Sequence, residues 1–238
     1  VGEVVAAVIA GVISVEDGLT LIYHRGRLMQ SLPSGGGMLV VMASLKQVKS
    51  LIKDQKIKLS IAGINGPKQI VASGDVKQIE KLASQLKPKK IRSIRLNVSH
   101  AFHSDLMQPM VEEFKQIISG IEFKAPQIKM LSNVTGDFIK EEEITSDYWV
   151  EHILSAVNFA GCVKSIEKSG CTIYQEIGPD GTLIGLTAQS IKDEKTQLIT
   201  SLSQNQSDWE SLLTALGHLY TQGGGLHCAT LDTVRDSK

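Results

Sequence analysis

Two rhythms of apolar and polar positions divide the chain. Residues 4–10 are almost wholly apolar and close on Gly11, which predicts a short helix buried on all sides. Ser14-Val15-Glu16-Asp17 reads as a capping box, with Ser14 as N-cap and Asp17 three residues on. The helix it opens carries apolar or small residues at Val15, Gly18, Leu19, Ile22, Gly26 and Met29. At 100° per residue Arg25 borders that stripe and Arg27 lies on its other flank. A linker, Pro33-Ser34-Gly35-Gly36-Gly37, then changes the rhythm. Strands are predicted over 38–42, 58–64, 69–73 and 91–96, with helices over 45–53 and 76–86. That order, βαββαβ, is the ferredoxin-like arrangement and can fold as a small insert.

Beyond it a helix is predicted over 104–119. Strands at 128–132, 172–177 and 196–202 then alternate with helices at 159–168, 183–191 and 208–221. Such alternation implies parallel strands with right-handed crossovers. The fold class is therefore α/β. A large, hydrolase-like parallel-sheet subdomain is expected from 1–36 and 99–222, with a ferredoxin-like subdomain inserted over 37–98. Gly223-Gly224-Gly225 and the polar residues after them read as a C-terminal linker, 223–238.

Composition narrows the function classes. With 42% hydrophobic and 21% charged residues, disorder is excluded. The 25 basic and 25 acidic residues cancel, so neither nucleic acid nor an anionic membrane is an expected partner. Lys87-Pro88-Lys89-Lys90 is local and reads as a solvated turn. Cys162, Cys171 and Cys228 are odd in number and lack metal-ligand spacing, which fits a reducing, cytoplasmic compartment. The apolar run at residues 4–13 is too short to span a bilayer. His100 and His103 have no third ligand nearby, so no metal is expected.

Several phrases are specific. Val1-Gly2-Glu3-Val4-Val5-Ala6-Ala7 stands about a hundred residues before His100-Ala101-Phe102-His103. Between them lies Arg25-Gly26-Arg27-Leu28-Met29-Gln30, and after them come Leu131-Ser132-Asn133-Val134-Thr135-Gly136, Asp147-Tyr148-Trp149-Val150 and Glu176-Ile177-Gly178-Pro179. Together they resemble the acyltransferase domain of modular type I polyketide synthases, whose G-H-S-x-G-E-x-x-A-A motif would put its serine just ahead of Val1.

The resemblance implies a function and roles. A serine attacks the thioester of malonyl-coenzyme A, a histidine takes its proton, and the phosphopantetheine thiol of an acyl carrier protein then collects the acyl group. His103 would be the base. The backbone carbonyl orienting it is expected at His152, counting along the family's pattern. Val1 would supply the oxyanion-hole amide. Arg25 would bind the free carboxylate of the extender unit, with Met29, His100 and Phe102 lining the acyl site; H-A-F-H goes with malonyl units. No cofactor is expected. Partners would be the carrier protein and the adjoining ketosynthase and other synthase domains. The nucleophile serine and a glutamine oxyanion donor are absent from the sequence, so the chain alone is expected to be inactive. Two alternatives stand beside this reading: a free-standing malonyl transacylase of fatty-acid synthesis, and a degenerate, non-catalytic docking domain. The exit linker favours the synthase over the first, and intact Arg25 and His103 argue against the second.

Overall fold

A computed structural model describes residues 1–224. The linker expected over 223–238 and Cys228 lie outside the described residues, apart from Gly223 and Gly224. By its internal contacts the chain divides into two units, Val1–Ser169 and Gly170–Lys238. The division cuts the segment 99–222, expected as part of one large subdomain, because residues after Gly170 make their own strand pair. The inserted segment stays with the first unit.

In the first unit, α1 (Gly2–Ile9) and α2 (Val15–Ser31) open the chain. Ser14 caps α2 by accepting from the Asp17 amide at 3.0 Å. Two expectations shift here. Helix α1 is amphipathic and not buried all round: Glu3, Val4 and Ala7 are buried, whereas Val5 and Ile9 are exposed. Helix α2 buries Gly18, Leu21, Arg25, Leu28 and Met29, while Val15 and Leu19 face outwards. The buried face is rotated roughly 80° from the apolar stripe, at 100° per residue, and Arg25 lies at its centre. The cause is a polar partner for the guanidinium, described below.

A four-stranded antiparallel sheet follows, in the order β2-β3-β1-β4, from β1 (Gly36–Val41), β2 (Ser60–Gly66), β3 (Gln69–Asp75) and β4 (Ser93–Arg95). Helices α3 (Leu45–Asp54) and α4 (Val76–Leu86) cover one face, burying Leu39, Val41, Ile70 and Ala72 against Val48, Ile79 and Leu82. Both helices start on side-chain caps, a Ser44–Gln47 capping box and Asp75. The other face (Met38, Val40, Ala62 and Val71) packs against Leu96, Val98 and Phe102. Burial on both faces is why β1 reads as a continuous apolar run.

The returning chain forms a 3-10 helix, Asp105–Met110, and then α5 (Val111–Ile118). One helix over 104–119 was expected; Pro109 divides it, since proline lacks the amide and clashes with the preceding turn. The strand expected over 128–132 is reduced to a single bridge between Leu131 and Phe138. Here Ser132 accepts from the amides of Val134 and Thr135, and Gly136 turns the chain at φ 78°, so no extended run develops. Helix α6 (Ser146–Leu154), capped by Thr145, precedes α7 (Phe159–Lys168). Between them Val157 adds itself to edge strand β2: its amide donates to Ala62 O at 2.9 Å and its carbonyl accepts from Ile64 N at 2.8 Å. Asn158 N reaches Asn133 O at 2.7 Å on the other side.

In the second unit, β5 (Ile173–Glu176) and β6 (Gln197–Thr200) pair in parallel, with α8 (Thr182–Ala188) between them in sequence and α9 (Asp208–Thr221) after. No described helix is long and apolar enough to cross a membrane.

Candidate active site

The site assembles in the first unit where four segments meet: the start of α1, the middle of α2, residues 100–104, and α6 with the turn after it. The segment 100–104 is held tightly. The backbone of β1 can approach it because Gly36 lacks a side chain; a Cβ there would stand 2.3 Å from Ala101 N. The His100 ring is buried, with Nε2 donating to Leu32 O at 2.9 Å and Nδ1 paired with Ser99 Oγ at 2.7 Å. Ser104 Oγ donates to Ala101 O at 2.6 Å and accepts from Leu106 N. Pinned on both sides, His103 adopts φ 56°, a left-handed conformation that costs a non-glycine residue about 1–3 kcal/mol and is kept only where its surroundings impose it.

His103 Nδ1 lies 2.9 Å from Ser155 O. A carbonyl only accepts, so the ring carries its proton on Nδ1 and leaves Nε2 with a lone pair. Burial, then the nearby Arg25 and His152, push the imidazole pKa down to about 4, against a weaker upward pull from Ser155. The ring is therefore neutral near pH 7 and ready to accept a proton. The carbonyl was expected at His152 and is Ser155's: helix α6 ends at Leu154, and Ser155, at φ −77° and ψ 155°, turns out of helical geometry so that its carbonyl faces His103.

The His152 side chain has a different place. Its Nε2 donates to Glu3 Oε2 at 3.1 Å and its Nδ1 is 3.2 Å from Arg25 Nη1. The His152 ring centroid is 6.1 Å from that of His103. Glu3 also accepts from Asn133 N at 3.0 Å and from the hydroxyl of Tyr148, which in turn is 2.8 Å from Ser132 Oγ. Burial alone would raise the Glu3 pKa, but the His152, Tyr148 and Asn133 donors outweigh it and hold the carboxylate ionised. Burial lowers the Arg25 pKa and Glu3 opposes that shift. Arg25 is 9% exposed, and among the described residues no carboxylate lies within ion-pair distance of it. A buried guanidinium in that setting keeps spare donors and an uncompensated charge.

The remaining expected residues fall as follows. Val1 is the N-cap of α1, which opens there without a side-chain cap. Phe102 is partly buried and packs against both the large core and the open face of the small sheet. Met29 belongs to the large core. Both His100 nitrogens are engaged, so that ring braces the segment and has no nitrogen left for a substrate. Among the described residues no three His, Cys, Asp or Glu side chains converge as metal ligands. The sequence reading gave no role to Glu3, Tyr148 or Ser155. Glu3 stood inside the N-terminal motif and Tyr148 inside a family phrase, so both had a signal; a backbone carbonyl such as Ser155's has none.

Comparisons with known proteins place the chain in a family. A family model described as the acyl transferase domain matches residues 1–224. The chain is 37% identical to the polyketide synthase GfsA of Streptomyces halstedii and 39% identical to a phenolphthiocerol synthesis polyketide synthase of Mycobacterium marinum. Each match covers 94% of this chain but 3% and 11% of those relatives. The acyltransferase domain from the second module of the salinomycin polyketide synthase superposes with a TM-score of 0.92 at 33% identity, over all of this chain and 56% of that one. A malonyl-CoA:acyl carrier protein transacylase of Xanthomonas oryzae gives 0.79 at 29% identity, over 90% of this chain and 69% of that one.

Proposed function

Because the chain belongs to the acyl transferase domain family, we propose that its site moves a malonyl unit from coenzyme A to the phosphopantetheine thiol of an acyl carrier protein during polyketide assembly. The observation that carries the malonyl reading is Arg25, a buried cation whose missing partner matches the free carboxylate of a malonyl group.

In this reading a serine immediately ahead of Val1 is the nucleophile. His103 Nε2 takes the hydroxyl proton as the serine oxygen bonds to the thioester carbonyl carbon. The negative charge on the carbonyl oxygen is met by the Val1 amide at the start of α1. The carbon–sulfur bond breaks and the imidazolium returns the proton to coenzyme A sulfur. In the second half the phosphopantetheine thiol gives His103 its proton, attacks the acyl-serine, and the serine oxygen leaves with that proton. Ser155 keeps the ring in the correct tautomer throughout. The synthase context is supported by the closer superposition on the salinomycin synthase domain, with a TM-score of 0.92, than on the transacylase, with 0.79.

The test is competition between malonyl- and acetyl-coenzyme A for acylation of the protein that includes the serine ahead of Val1. Arg25→Ala should reduce malonyl use by tenfold or more, the value of a charged hydrogen-bonded pair, with acetyl use little changed. An unaltered malonyl-to-acetyl ratio would remove the carboxylate from Arg25.

A further inference from the structure

Proton transfer at His103 accounts for Ser155 but not for the line Glu3–His152–Arg25. Arg25 Nη1 meets the Nδ1 side of the His152 ring and Glu3 meets the Nε2 side. A neutral imidazole has a single N–H, and a carboxylate at Nε2 fixes the proton there. Nδ1 then offers the lone pair that an arginine donor requires. The opposite tautomer would set N–H against N–H at the Arg25 contact and leave Glu3 facing a lone pair. Glu3 is itself immobilised by Asn133 N and the Tyr148 hydroxyl, so the order of the three groups is built in.

The interposed ring also has an electrostatic use. A carboxylate placed directly on Arg25 would fill the guanidinium fork and cancel its charge. The imidazole instead occupies one donor, fixes the plane of the guanidinium, and leaves its other donors and its charge to a ligand. We propose that His152, in the Nε2–H tautomer imposed by Glu3, is the positioning residue that aims Arg25 at the free carboxylate of the acyl substrate. It thereby sets the preference for thioesters of dicarboxylic acids over those of monocarboxylic acids. This rests on the role given to Arg25 above. The base is oriented by the Ser155 carbonyl and not by the His152 side chain, so selectivity and proton transfer are separable.

The experiment compares malonyl- and acetyl-coenzyme A with His152→Leu, His152→Gln and Arg25→Ala in the protein that includes the serine ahead of Val1. His152→Leu should lower kcat/KM for malonyl-coenzyme A roughly tenfold or more, the effect of one charge-assisted hydrogen bond, and leave that for acetyl-coenzyme A within about threefold. His152→Gln, whose amide supplies a donor and an acceptor to the same two neighbours, should recover most of the loss. An equal fall for both substrates, or no rescue by glutamine, would reduce His152 to packing and overturn the proposal. An Arg25→Ala variant that keeps its malonyl preference would instead overturn the role of Arg25 itself. Nitrogen-15 shifts of His152 in the labelled wild-type chain give a readout independent of any variant. They should report a protonated Nε2 and a bare Nδ1, and the reverse tautomer refutes the proposal even if His152→Leu does not fold.

Discussion

Acidification perturbs the site most directly, because His103 is held neutral against its ordinary tendency. Its pKa falls from 6.5 to about 4, with burial the largest cause, then the charge of Arg25. The folded pKa lies below the unfolded one, so the unfolded state binds the proton first. Stability is therefore complete above pH 6.5 and is lost as the pH falls towards 4. At about 1.4 kcal/mol per pH unit the gap amounts to about 3 kcal/mol, a large part of the 5–15 kcal/mol that holds a typical domain together. Glu3, whose pKa is lowered from 4.5, adds its own loss only below that value, which leaves the window from 6.5 to 4.5 to His103. The assay is urea denaturation of the wild-type chain and His103→Gln at a series of pH values, with the His103 ring followed by NMR. The wild type should lose about 3 kcal/mol relative to the variant across the window, and the ring should titrate near 4. Acylation by the protein that includes the serine ahead of Val1 should keep its acid limb near pH 4 as well. A ring midpoint above 6, or parallel stability curves for the two proteins, refutes the account of the buried base.

Three further outcomes are expected. Tyr148→Phe removes one donor from the buried Glu3 carboxylate and should cost about 1–3 kcal/mol in chemical denaturation, whereas a change below about 0.5 kcal/mol would mean water replaces the hydroxyl. Gly36→Ala forces a Cβ into the Ala101 backbone, a contact that cannot relax by a rotamer change, and should cost about 1–3 kcal/mol and slow acylation by moving His103; a thermal midpoint equal to wild type would contradict the close approach. Phe102→Ser should relax selectivity towards methylmalonyl-coenzyme A without inverting it, since one methyl in an apolar pocket is worth about 1–3 kcal/mol; a ratio that moves less than about threefold at full activity makes Phe102 solely a packing residue.

The small sheet was legible because each device that builds it is local. The capping serine of α3 and the Asp75 start of α4 lie within a few residues of what they specify. Helix α2 was legible as a helix but not in its orientation. Its apolar residues pointed one way, and the partner that draws Arg25 inwards, His152, is 127 residues distant. His103 could be singled out because its motif is compact, while the carbonyl that faces it could not, since Ser155 acts through a backbone atom that any residue would supply. Pro109 is a local signal that should have divided the helix after His103, and Thr145 is the cap that marks α6.

Val157, bonded to β2 through both its amide and its carbonyl, bears on how such domains can be recombined. A graft that exchanges residues 37–98 for those of a relative looks modular along the chain, because it begins and ends in short connections. In space the small sheet has a fifth participant, residues 155–158, contributed from outside the graft and carrying the carbonyl that orients His103. A transplanted sheet whose edge strand differs in register at Ala62 or Ile64 would shift that carbonyl and misorient His103 with every side chain of the site intact. The exchangeable unit is therefore discontinuous: the insert together with the turn after α6.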